Sequence, residues 1–336
     1  MGEDTTERTR PDSERTDRIE ESSVPSRRPL SKERDAASRP TRVREQATGN
    51  GPTDDDRTKR EEQFSSDVAK SSDRGRSEER TDGKEETGTV FLVGSGPGDP
   101  ELLTRRAWRL LQEADVVLHD SLTGDEIVDQ LPESVEVVDV GKRPPQRTTQ
   151  DEINELMVER SRKEEDVVRL KGGDPNVFGR GGEEAEHLAS EGVHFEIVPG
   201  VSSVLAAPSV SGIPLTHRDR SSSLTVVTGH QTPDKDESAV DWGALADSVE
   251  AGGTLVVLMG VNRLPRNVRA LRNHGVSRET PAALVQKATW CDEKTVTGTI
   301  GDIVGKSRDA GVEPPAVTIV GDVVSVRGDV EEWLLR

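Results

Sequence analysis

The chain has 336 residues, 31% of them hydrophobic and 32% charged, with a formal net charge of −19 at pH 7. That length admits two domains, and no stretch is apolar for long enough to form a transmembrane helix. Cys291 is the only cysteine, which excludes an intrachain disulfide and a thiolate metal site built within one chain.

The first segment, 1–87, holds 19 Lys and Arg against 23 Asp and Glu and one aromatic residue, Phe64. Such a stretch buries too little apolar surface to offset its ordering entropy, so it is expected to be a disordered tail. No apolar run follows Met1, so no secretory signal is expected, and Met1–Thr6 fits a myristoylation pattern only as a chance match. Its arginines are interleaved with acids, which argues against a nucleic-acid arm. The remainder, 88–336, keeps 26 of the 45 basic and 41 of the 64 acidic residues. A surface that acidic stays hydrated at high salt, so a salt-loving host is expected; with no signal, no membrane span and one cysteine, the protein is expected to be cytoplasmic.

Beyond the tail, Thr89–Val93 is a short apolar run ended by glycines and reads as a buried parallel strand. Leu102, Leu103, Ala107, Leu110 and Leu111 then recur at helical spacing. Strands are predicted at 114–118, 135–140, 166–170 and 193–198, with helices at 150–162 and 183–190. A Ser, Gly and Pro-rich stretch at 208–214 is the expected linker. In the second half, strands are predicted at 224–228, 254–259, 282–285 and 316–320. An extended segment is expected at 294–299, and helices at 263–274 and 300–309. The first-half alternation predicts an α/β fold with a mostly parallel sheet, and two α/β domains are expected, 88–213 and 214–336.

Three loops carry the chemistry. The first, Gly94-Ser95-Gly96-Pro97-Gly98-Asp99-Pro100, leaves a strand and opens a helix that Asp99 can cap, with Pro100 at its first position. A dinucleotide-binding fingerprint would need a glycine where Asp99 stands, and Pro97 stiffens the turn. The second, Lys171 to Glu184, packs five glycines into one strand-to-helix connection. A flexible surface loop is the plainer reading, but Asp174-Pro175 and the apolar Val177-Phe178 point to a ligand loop. The third runs Val198-Pro199-Gly200-Val201-Ser202-Ser203, with Pro214–Arg218 further on. His187 and His194 lack partners at ligand spacing, and no metal site is expected.

In this order, the segments resemble the tetrapyrrole (corrin/porphyrin) methylase family, from about Val90 to Val324. The supporting segments after Glu184 are Pro214–Arg218, Thr228-Gly229-His230, Leu258-Met259-Gly260, Val296–Thr299 and Ile319–Val324. The string Leu170–Glu184 is similar to the branch that acts on uroporphyrinogen III. The resemblance implies two α/β domains with S-adenosyl-L-methionine (SAM) in the cleft between them, and a homodimer. It also implies two successive methyl transfers onto uroporphyrinogen III, giving precorrin-2 for sirohaem and cobalamin. SAM contacts carry over onto Pro97, Gly172, Gly173, Asp174, Val177, Ser202, Ser203, Met259 and Ala288. The proton acceptor falls on Asp120 and the proton donor on Lys142.

The residues support these roles separately. A carboxylate at a strand end suits a base, and a lysine of lowered pKa suits an acid. Equally, Asp120 can cap a turn and Lys142 can pair with substrate carboxylates. An octa-acid would also attract Arg143 and Arg218 through bidentate pairs. Two competing functions remain: another tetrapyrrole or cobalt-precorrin methylase, and a catalytically silent SAM-binding regulator. The chain departs from the family in having His119 where a tyrosine is usual, Asn176 where a phenylalanine is common, and the unusual stretch Lys287–Cys291.

Overall fold

The computed structural model describes residues 87–141, 148–230 and 240–334. The expected tail therefore lies outside the described residues, except Thr87. Five strands form the first sheet: β1 (Val90–Gly94), β2 (Val116–His119), β3 (Glu136–Asp139), β4 (Val167–Lys171) and β5 (Phe195–Val198). Their order is β3-β2-β4-β1-β5, and every neighbouring pair is parallel. Helices α1 (Arg105–Glu113), α2 (Asp125–Val128), α3 (Gln150–Ser161) and α4 (Gly181–Ser190) connect them.

Strand side chains alternate between faces, and the core divides accordingly. Val90, Leu92, Leu118 and Val167 pack with Ile153 and Met157 of α3 and Leu188 of α4. Val93, Val117, Val168 and Leu170 pack with Ala107, Leu110 and Leu111 of α1 on the opposite face. The first helix starts later than its apolar spacing predicts. Asp99 caps a single 3-10 turn, Pro100–Leu102, and Thr104 then caps α1 by accepting from the Ala107 amide at 3.1 Å. Helix α3 opens with a reciprocal capping box between Thr149 and Glu152.

The second sheet contains β6 (Leu224–Thr228), β7 (Thr254–Leu258), β8 (Pro281–Gln286), β9 (Lys294–Thr299) and β10 (Ala316–Val320), in the order β6-β7-β10-β8-β9. Here the sheet is mixed. Only β6 and β7 are parallel, while β10 runs antiparallel to both its neighbours and β8 pairs antiparallel with β9. The connection 287–293 is too short for a crossover, so β9 must fold back beside β8.

Helix α5 (Ser203–Val210) occupies part of the expected linker, with Pro208 inside it. Its Val204 and Ala207 pack against Val256, Ala283 and Ile319 of the second sheet. Helix α6 (Trp242–Glu250) was not among the predicted elements, although Trp242, Leu245, Ala246 and Val249 recur at helical spacing and are buried. Helices α7 (Leu264–Asn273), α8 (Ile303–Asp309) and α9 (Val326–Val330) complete the described α-helices.

Candidate active site

The parallel register brings the strand ends together. Gly94 pairs with Lys171, His119 with Leu170 and Val93 with Val198, so the loops after β1, β2, β4 and β5 share one edge. This is the edge at which open α/β sheets bind ligands. The glycines join two of these loops backbone to backbone and tie in a third through the Asp174 carboxylate. Gly96 donates to the Gly173 carbonyl at 3.2 Å, and Gly173 donates back to Gly96 at 2.7 Å. The Gly200 amide donates to Asp174 Oδ2 at 3.2 Å, while Asp174 Oδ1 accepts from the Asn176 amide at 2.9 Å.

Gly94 and Gly200 have no room for side chains at this junction. A Cβ on Gly200 would stand 2.2 Å from the Gly173 carbonyl oxygen, and one on Gly94 2.5 Å from the same atom. Gly200→Ala should therefore force the loops apart, costing about 1–3 kcal/mol of stability and weakening ligand binding at this edge. Urea unfolding and calorimetric titration with S-adenosylhomocysteine would check both effects.

The second sheet contributes its own loops. Met259 follows the end of β7 and Ala288 the end of β8, and the β10 register puts both at one edge of that sheet. Trp290 Nε1 donates to the Pro97 carbonyl at 2.9 Å, and the Asp99 amide donates to Thr289 Oγ1 at 3.2 Å, joining this edge to the first loop. Positive backbone φ at residues other than glycine concentrates here: Phe178 (54°), Arg180 (61°), Met259 (54°), Lys287 (46°) and Thr289 (72°). Such conformations cost about 1–3 kcal/mol each and gather at functional sites. Leu122, Val177, Phe178 and Met259 in these loops are also exposed, so the edge offers apolar surface beside its backbone cradle.

The structure thus gathers Pro97, Gly172, Gly173, Asp174, Val177, Ser202 and Ser203 on the loops of one sheet edge. Ala288 is brought beside them by the Thr289 and Trp290 hydrogen bonds, and Met259 lies on the same edge of the second sheet as Ala288. Ser202 caps α5, with Oγ accepting from the Val204 amide at 3.3 Å. Arg218 is not gathered there. Its turn precedes β6 and is tied through Ser221 to Thr254 at the start of β7, the opposite edge from Met259. Lys142 and Arg143 lie outside the described residues. Among the described residues, no three His, Cys, Asp or Glu side chains converge as a metal site.

Asp120 follows β2, half-buried. Its carbonyl accepts from Thr123 Oγ1 at 2.8 Å, which closes a turn, but its carboxylate does not cap that turn. Instead Asp120 Oδ1 accepts from Arg169 Nη2 at 2.6 Å. Arg169 comes from β4, where residues 167, 169 and 171 alternate onto the α3–α4 face. It is 2% exposed, and its Nη1 donates to the carbonyls of Leu118 at 3.2 Å and Leu170 at 3.1 Å.

Behind it lies Glu184 on α4, fully buried, with Oε1 accepting from Arg169 Nε at 3.2 Å, Lys171 Nζ at 2.8 Å and Gln150 Nε2 at 3.1 Å. Glu184 Oε2 has no hydrogen-bond partner among the described residues. Burial pushes the Lys171 ammonium below the usual lysine range and Arg169 repels it further, while Glu184 acts in the opposite sense. The folded state therefore releases this proton before the unfolded state does. The cost of the buried charge is fully present below the folded-state value and is lifted as pH rises through that value towards the ordinary ~10.4. Lys171→Met should abolish that rise in stability, as read by urea midpoints across a pH series that ends near the ordinary lysine value of ~10.4.

Arg169, Lys171 and Glu184 were not singled out from the sequence as site residues. Two cations at alternate positions of an otherwise apolar strand, and a glutamate four residues before buried Leu188, were the available signals.

Residues 89–304 match the family described as Tetrapyrrole (Corrin/Porphyrin) Methylases, and the chain belongs to that family. It is 50% identical over 238 residues, 70% of this chain and 92% of the relative, to the S-adenosyl-L-methionine-dependent uroporphyrinogen III methyltransferase of Methanosarcina barkeri. It is 45% identical over 243 residues, 71% of this chain and 98% of the relative, to the uroporphyrinogen-III C-methyltransferase of Methanocaldococcus jannaschii. Among solved structures, the uroporphyrin-III C-methyltransferase of Thermus thermophilus complexed with S-adenosylhomocysteine superimposes with a TM-score of 0.60. It shares 41% identity, covering 71% of this chain and all of that one.

Proposed function

We propose that this chain is a SAM-dependent C-methyltransferase that methylates uroporphyrinogen III twice, giving precorrin-2 for sirohaem and cobalamin, and that it works as a cytoplasmic homodimer. The observation that carries this reading is the single edge on which the glycine-joined loops and the Arg169-held carboxylate of Asp120 meet. The residues fit SAM. Gly173, where a Cβ would have no atom nearer than 3.7 Å, admits close approach of a ligand. Leu122, Val177, Phe178 and Met259 offer apolar contact, and the amino end of α5 opens beside Gly173.

Bound SAM supplies an electrophilic methyl group, so the protein's principal task is positioning. Pro97, Gly172, Gly173, Asp174, Val177, Ser202, Ser203, Met259 and Ala288 hold the donor. Asp120 takes the proton that the methylated tetrapyrrole must lose, and Arg169 holds its carboxylate toward the edge. Lys142, one residue beyond Gly141, supplies a proton, and Arg143 binds substrate carboxylates. Arg218, in the turn before β6, is the second candidate for pairing with substrate carboxylates. The catalytic unit is divided as 88–213 and 214–336, with α5 packing across onto the second sheet. The charge of −19 suits a protein working in molar salt.

The string Leu170–Glu184 favours uroporphyrinogen III over another tetrapyrrole or a cobalt-precorrin, and the built Asp120–Arg169 pair favours catalysis over a silent regulator. Full-length protein incubated with SAM and uroporphyrinogen III should transfer two methyl groups per tetrapyrrole and yield a fluorescent product on oxidation. Methyl uptake confined to a different tetrapyrrole would overturn the substrate assignment. Light scattering should give twice the chain mass of 36.5 kDa.

A further inference from the structure

The strap 287–293, between β8 and β9, is more highly built than a hairpin connection requires. Lys287 and Thr289 both adopt positive φ, at 46° and 72°. The Thr289 amide donates to Glu293 Oε2 at 2.9 Å, and the Trp290 amide donates to the Lys287 carbonyl at 3.0 Å. Lys287 pairs with Asp292, and its Nζ stands 5.6 Å from the centre of the Trp290 ring. These contacts fix the indole against the first loop. Its Nε1 donates to the buried Pro97 carbonyl at 2.9 Å. Gly98, at φ 142°, has no room for a side chain because a Cβ there would lie 2.0 Å from that same nitrogen. On its other side, the Gly98 carbonyl is 3.1 Å from where a Cβ of Gly124 would be. The turn is thus held between the strap and the loop after β2.

From this geometry we infer that Trp290 is a positioning residue for SAM: its indole locks the Gly96–Asp99 turn into the binding shape and sets the separation of the two sheets across the cleft. The inference rests on the SAM cleft proposed above. Trp290 touches the turn rather than the reacting atoms, so its removal acts on donor affinity and leaves the chemical step intact once SAM saturates. Thr289 serves the same turn through the Asp99 amide.

The test uses the full chain and Trp290→Phe, which keeps an aromatic ring but removes the Nε1 donor and leaves the buried Pro97 carbonyl unpaired. Loss of such a hydrogen bond corresponds to roughly tenfold in affinity. SAM and S-adenosylhomocysteine dissociation constants from calorimetry, and the KM for SAM, should rise about tenfold. The kcat at saturating SAM and the KM for uroporphyrinogen III should stay within about twofold. Thr289→Val should shift the same constants in the same direction by a smaller factor. A wild-type SAM affinity retained in both variants overturns the inference while leaving the cleft reading intact. So does a parallel fall of kcat and affinity that tracks a lowered unfolding midpoint, since that marks a purely structural brace. Failure of the wild-type protein to bind SAM or S-adenosylhomocysteine at all would instead overturn the cleft reading beneath it.

Discussion

Asp120→Ala should lower kcat by about 10²–10⁴-fold and change SAM affinity by less than about twofold, the range left when no SAM contact is lost. In the proposed site, donor binding depends on the glycine-joined loops, and the Asp120 carboxylate takes no part in joining them. Its carboxylate is committed to Arg169 at 2.6 Å, and its second oxygen has no hydrogen-bond partner among the described residues. A carboxylate oxygen left open at the strand edge is what a proton acceptor requires. Asp120→Asn separates charge from shape, because the amide oxygen still accepts from Arg169 but is a far weaker base. Both variants should lose turnover to a similar degree. If Asp120→Asn keeps near-normal kcat, the carboxylate serves only to hold Arg169. Equal losses of kcat and SAM affinity would assign Asp120 to the architecture of the loops.

Glu184→Ala should destabilise the fold by about 3–5 kcal/mol, because it leaves two buried cations, Arg169 and Lys171, without their shared anion. A shift in the urea midpoint at constant slope would measure it. Glu184→Gln should cost less, since its amide oxygen can still accept a hydrogen bond from Arg169 or Lys171. Lys171→Met combined with Glu184→Gln should recover part of the loss by removing one unbalanced charge. A double variant no more stable than Glu184→Gln alone would mean that the Lys171 charge is not the source of the penalty. The cluster is an unfavourable place to bury charge for stability alone, and its position directly behind Asp120 links it to the site.

Much of the fold was legible because it follows from periodicity. Thr89–Val93, Val116–Leu118 and Val167–Leu170 are apolar runs bounded by turn residues, and they form buried parallel strands. The loop glycines at 94, 173 and 200 were legible as ligand-loop residues, and their order along the chain carried the family resemblance. Sequence periodicity by itself left α5 hidden, because Pro208 and its serines read as a linker until its Val204 and Ala207 found the second sheet. It also left strand direction in the second half open, since apolar alternation looks the same for either direction of pairing.

The amino-acid sequence by itself determined the strand–loop–helix alternation, the glycine positions that bring backbones into contact, and the acidic surface. These depend on local sterics and composition. Only the tertiary structure decided which residues meet across long separations. Arg169 reaches Asp120 from 49 positions away, and Trp290 reaches Pro97 from 193. It also placed Arg218 at the far edge of the second sheet from Met259. Such contacts depend on sheet order and register, which set the distance between residues that no local pattern relates.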